Sequence, residues 1–314
     1  MNPEVFAEWL RRQGYRVARS ESSYWYCAGP RVYQAFPYDW VIEPQEEELS
    51  SLLKRKNAIA LRYSTPLSAA QGMLSYHVVC EGPSYNLAAL PRRVRQDIGK
   101  GLEYTSVEPI SVSRLATEGW GLRLETLMRQ GRTKAESYVW WQRMCHGAQN
   151  LPGFEAWGAI HDGQLVACLL ACVCDSCYTL LYHQSATAHL RHGINNAIFY
   201  EVTKEALNRP GISRVFLALH SLDAPPDVDR FKFRMRYRAT PLRQRVVFNP
   251  RLSPFVNRAS HAVLKRLMGW LPDNPALAKA EGMLRFYLQG QCPLDQQPCP
   301  DILAQYTSEE GTHA

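Results

Sequence analysis

The stretch HLRHGINNAIFYEVTKEAL, residues 189–207, decides how the chain is read. Ile194, Ala197, Ile198, Val202 and Ala206 recur at helical spacing, so a helix is expected from Ile194 to about Asn208. Gly193 stands just before it, and Arg209-Pro210-Gly211 stops it. The first turn of a helix has unpaired N–H groups and a partial positive charge, so this junction suits an anion such as a pyrophosphate.

Upstream, three strands are expected at Phe154–His161, Gln164–Val173 and Cys177–Ser185. Asp162-Gly163 and Asp175-Ser176 separate them as hairpin turns. Ahead of these come a strand at Tyr104–Pro109 and two helices, Ser113–Arg129 and Lys134–Gln149, divided at Gly131. Downstream come a buried strand at Arg214–Leu219, a short helix within Pro226–Tyr237 and a strand at Arg243–Asn249. A hairpin meander joined to a strand-helix-strand crossover makes the sheet mixed. The first hundred residues also alternate: strands at Ser23–Cys27, Arg31–Phe36, Ala58–Tyr63 and Ser75–Cys80, with helices at Pro44–Lys56 and Leu87–Leu102. Met1–Val17 reads as an amphipathic helix. After Leu252, a basic amphipathic helix at Pro254–Trp270 is expected to cap its own domain. A second helix at Asn274–Leu288 and a polar tail from Gln291 follow it.

This order resembles that of the GNAT (N-acetyltransferase) superfamily, in its FemAB-like branch of acyl and aminoacyl transferases. Three segments carry the resemblance. In the 189–196 loop Gly193 matches the first glycine of the family's donor-binding motif, while Leu190 and Asn195 stand where Arg or Gln and a small residue are usual. Phe231-Lys232 matches a closing Phe-Lys pair, with Arg236 where Gly is usual. Residues 85–104 form a basic helix like the one that precedes the second FemAB domain. The resemblance implies an α/β (α+β) GNAT fold with a mixed, mostly antiparallel sheet. It divides the chain into a degenerate N-terminal half (1–102), a transferase domain (103–250) and a C-terminal helical extension with a polar tail (251–314). It also implies transfer of an acyl or aminoacyl group to an amine. The donor would be an acyl-coenzyme A thioester or a charged tRNA. The acceptor would be a small amine, or a sugar or peptide precursor, with a carrier protein or tRNA as a further partner.

Chemistry is expected at the end of the third strand. The candidate bases are His183, Ser185 and His189, with His183 the first choice, and Tyr182 could protonate a leaving thiolate. Tyr182 and His183 cannot both face one cleft on a regular strand. Arg191, Gly193, Asn195 and Asn196 are the donor-binding candidates, and Lys232, Arg234 and Arg95 the substrate-binding ones. Residues 230–245 hold seven Arg or Lys and no Asp or Glu, a run that attracts phosphate or carboxylate. Cys168, Cys172, Cys174 and Cys177 lack the paired spacing of a structural zinc site, so no metal is expected. The odd count of nine cysteines, the absence of a leader-like N-terminus and the absence of an apolar run near the ~20 residues of a membrane span point to the cytoplasm. A net charge of +7 favours anionic partners. That charge also supports the alternative: a GNAT-fold protein without catalysis that binds an anionic partner such as nucleic acid.

Overall fold

The computed structural model describes residues 2–82, 85–131, 137–220, 230–271 and 274–304. The expected helix starts at Lys134 and Pro226, and the last ten residues of the polar tail, lie outside these residues. In chain order the elements begin with α1 (Pro3–Arg12), β1 (Val17–Arg19), β2 (Tyr24–Gly29), β3 (Val32–Phe36), α2 (Glu46–Arg55), β4 (Ala60–Thr65) and β5 (Met73–Glu81). Next come α3 (Arg92–Tyr104), β6 (Ser106–Ile110), α4 (Val112–Arg129), α5 (Tyr138–Ala148), β7 (Phe154–His161), β8 (Gln164–Cys174) and β9 (Cys177–Ser185). The last are α6 (Ile194–Leu207), β10 (Arg214–Leu219), α7 (Arg230–Arg234), β11 (Arg238–Phe248), α8 (Arg258–Trp270) and α9 (Pro275–Gly290). The expected order holds except for β1, which was not expected. The helix expected from Leu87 begins at Arg92 instead, with Pro91 as its N-cap.

The chain forms two compact units, and they interleave along the sequence. The first comprises residues 1–14, 79–217 and 229–238; the second comprises 15–78, 218–228 and 239–314. The expected linear boundaries at 102 and 250 are not the boundaries of these units.

In the first unit the strands lie in the order β10-β9-β8-β7-β6, antiparallel except for the parallel pair β9–β10. β8 reads as a nearly unbroken apolar run because both of its faces are covered, and Val166–Cys172 are all buried. Helix α1 docks through Phe6, Trp9 and Leu10, each at most 2% exposed, and the Trp9 indole N–H donates to the Met144 carbonyl of α5 at 3.0 Å. Helix α3 crosses α6 at two glycines: a Cβ on Gly101 would meet the Gly193 carbonyl oxygen at 2.5 Å.

In the second unit β1, β2 and β3 form an antiparallel meander, α2 crosses over, and β4 pairs parallel to β3. This repeats the β7-β8-β9-α6-β10 pattern of the first unit, as expected of a tandem fold with a degenerate N-terminal copy. β11 returns from far along the chain to pair antiparallel with β4. Trp25, Tyr33, Leu52, Leu61 and Tyr63 fill this unit's core.

Candidate active site

The first unit's sheet opens on the side of α6. β9 and β10 pair only over Cys177–Thr179 and Arg214–Phe216. Beyond Thr179 the edge of β9 that faced β10 has no ladder partner among the described residues, while the strand stays paired to β8 on its other edge. The register with β8 slips within this free stretch: Leu180 opposes Ala171 and Tyr182 opposes Leu170, leaving Leu181 as a bulge. A bulge turns the strand and re-aims its side chains.

The elements around the opening are held from α4. Ser185 donates its backbone N–H to Thr126 Oγ1 at 3.1 Å. Arg129 donates to the Ser185 carbonyl at 3.2 Å and to its Oγ at 3.0 Å. Glu125 accepts from the Thr187 N–H at 2.7 Å. These bonds fix the path from β9 into the loop before α6. Ser185 is fully buried and its hydroxyl is engaged by Arg129, so it holds the strand rather than offering a base.

Tyr182 and His183 point to opposite faces. Tyr182 lies among Trp9, Trp140 and Arg123, on the side of α1, α4 and α5. The catalytic role expected for Tyr182 therefore does not share a cleft with His183. The His183 ring packs tilted against Phe199 of α6, centroids 4.7 Å apart, and Phe199 in turn meets Phe231 of α7 at 5.3 Å. Its Nε2 is buried with no hydrogen-bond partner among the described residues. Burial, helped by the Arg129 charge, pushes its pKa down to about 3, so the imidazole is neutral at physiological pH.

Gly193 caps α6 with φ +77°, a left-handed conformation that favours glycine, and no side chain caps the helix. Asn195 lies in the first turn, four residues before Phe199, hence on the same face of the helix. Its Oδ1 is also buried without a partner among the described residues. Asn196 instead turns its amide to the Met235 sulfur at 3.6 Å. Arg191 is exposed and donates to His192 at 3.1 Å. Arg234 and Arg95 are exposed, and Lys232 is half-buried in α7. The structure thus sets His183 against the face of α6 that carries Asn195 and leaves the expected arginines in solvent.

The sequence offered His189 as a base but not the column it joins beside the loop. The Tyr104 ring is stacked between His161 at 3.7 Å and His192 at 3.9 Å, and its hydroxyl bonds His189 Nδ1 at 2.9 Å. Desolvation and the neighbouring Arg191 and histidines lower the His192 pKa. The four candidate zinc cysteines are all at most 1% exposed within β8 and β9, and burial pushes the Cys168 thiol far up.

The matching place in the second unit is closed. β3 and β4 part after Gln34 and Arg62, but Val41 bridges to Ser64 and Ile42 donates to the Ser64 carbonyl at 2.9 Å. The first turn of α2 carries Glu46, Glu47 and Glu48, which repel an anion.

No protein-family model matches the chain, and no curated protein matches it by sequence. Among solved structures it is similar to FemX, with a TM-score of 0.57 and 12% identity over 80% of this chain and 92% of that one. It is also similar to L-PGS from Bacillus licheniformis, with a TM-score of 0.51 and 11% identity over 79% of this chain and 92% of the other. The third is the C-terminal DUF2156 domain of a lysylphosphatidylglycerol synthetase candidate from Agrobacterium fabrum, with a TM-score of 0.51 and 14% identity over 77% and 86%. At such identities the likeness is one of fold.

Proposed function

We propose that this chain, which has the GNAT-type fold of FemX, is an acyl or aminoacyl transferase working at the opening between β9 and β10. The observation that carries the reading is the pair of orphaned buried polar atoms, His183 Nε2 and Asn195 Oδ1, on the facing elements β9 and α6. A buried polar atom without a partner costs about 1–3 kcal/mol, a cost that a bound ligand removes.

The anionic part of the donor lies at the uncapped first turn of α6, with Arg191 beside it. The acyl carbonyl lies along the parted edge of β9, where backbone N–H groups can stabilise the oxyanion. An amine attacks the carbonyl carbon, a C–N bond forms, and the bond to the donor's sulfur or oxygen breaks. His183 stays neutral and orients the acceptor through Nε2. With its pKa near 3 it is too weak a base to keep a second proton at neutral pH, so the amine proton leaves to water. The donor is a thioester such as acyl-coenzyme A or a charged tRNA. Lys232 serves the acceptor's acidic group.

Thermal stabilisation against acetyl- and longer acyl-coenzyme A, acyl carrier protein, and charged and uncharged tRNA tests this. One donor is expected to raise the melting temperature, and Asn195→Ala to weaken that donor about tenfold while melting normally without it. Leu190 and Asn195, which depart from the usual donor motif, favour a second reading: a non-catalytic binder of nucleic acid. Stabilisation by tRNA regardless of charging, with none from any thioester, selects that reading.

A further inference from the structure

Helix α8 packs on α9 within the second unit and uses one face to do so. Ser260, His261, Leu264, Leu267 and Met268 are half-buried along that face, and His261 Nε2 bonds Glu281 Oε1 at 2.8 Å. The opposite face sets large apolar side chains among cations in solvent. Phe255 and Trp270, each 70% exposed, are the most exposed large apolar side chains among the described residues, and both flank this helix. Val263 is 59% and Leu271 53% exposed. Ala259, Val263, Arg266 and Trp270 follow one another at helical spacing, so they form a single outward stripe.

Within the helix and the turn before it the charge has one sign. Residues 249–271 contain Arg251, Arg258, Lys265 and Arg266 and no Asp or Glu. The Arg266 guanidinium lies 5.7 Å from the Trp270 ring centroid. Aromatic and aliphatic side chains on one line, rimmed by cations, match the boundary of an anionic bilayer: the apolar groups enter the acyl region and the cations meet the headgroups. An acidic protein or a nucleic acid would use the cations but leave the aliphatic Val263 and Leu271 without a partner. We propose that α8 and the preceding turn form a docking surface for an anionic phospholipid membrane, on which the protein lies without crossing. Among the described residues no helix is long and apolar enough to cross a membrane. This inference stands on the second unit alone and does not depend on the transferase reading.

Flotation of the full chain with vesicles tests it. The expected result is binding to equimolar phosphatidylcholine and phosphatidylglycerol, weak binding to phosphatidylcholine alone, and release by salt. Lys265→Ala/Arg266→Ala is expected to lower partitioning roughly thirty-fold. Val263→Ser/Trp270→Ser is expected to abolish it with the melting temperature kept, since both side chains are in solvent. Equal binding to both vesicles, binding untouched by these variants, no binding, or capture of RNA in place of vesicles would each overturn the proposal.

Discussion

His183 is a histidine kept neutral by its surroundings, and that has a sign. Its folded pKa near 3 lies below the ordinary value of 6.5, so protons favour the unfolded chain between those values. The stability it protects is complete above about pH 6.5 and is lost as pH falls toward 3, at no more than about 1.4 kcal/mol per pH unit. Urea melts of wild type and His183→Gln across this window are expected to converge as pH falls. Gly193 gives a second expectation at this scale. A Cβ there would meet the Asp97 carbonyl oxygen at 2.1 Å, at φ +77°. Gly193→Ala is expected to cost at least about 2 kcal/mol, read as a lower melting temperature. The glycine was legible as a helix entry, but its clash with α3 was not, because Asp97 is far away in sequence. Arg236 shows the same limit: it sits at φ +65°, so the turn keeps the left-handed geometry that a glycine would serve, with an arginine in place.

At the scale of elements, strong patterns were read to the residue. β7, β9 and β10 have the bounds that alternation and apolar runs indicated. β1 escaped notice because its three residues carry no period. β11 begins at Arg238 rather than Arg243, because Thr240-Pro241 and the surrounding basic residues disguise its first half. The bulge at Leu181 and the parting of β9 from β10 have no local marker: they are decided by strands that meet only in the fold. Two crossovers share one topology, yet α6 begins at a bare glycine and α2 at three glutamates. A donor is therefore expected to bind with a stoichiometry of one per chain in calorimetry, and Glu46→Gln to leave that number unchanged. Two equivalents would show that the second crossover is also open.

At the scale of the whole molecule, the interleaved units limit how the chain can be cut. A fragment of residues 103–250 lacks α1 and α3, both part of the first unit. Phe6, Trp9 and Leu10 alone each contribute roughly 1.5–3 kcal/mol of burial, against the 5–15 kcal/mol typical of a domain. That fragment is expected to show no cooperative urea transition, whereas the full chain should. The tandem arrangement was implied by the family resemblance of the element order, not by a repeat in the residues. The sequence hid the exchange of segments, since nothing in the residues of α1 or β11 names the strand or helix it will meet.

The return of β11 to β4 also has a consequence in time. Arg62 donates to Gln244 across 182 positions of chain. At the ~5–20 residues per second of protein synthesis, β4 leaves the ribosome roughly ten to forty seconds before its partner strand exists. Through that interval β4 has one edge without the strand that will occupy it, and such edges invite foreign strands. The nascent chain thus has a period of exposure to misassembly set by gene length, in which a chaperone or a slow codon has the most to act on.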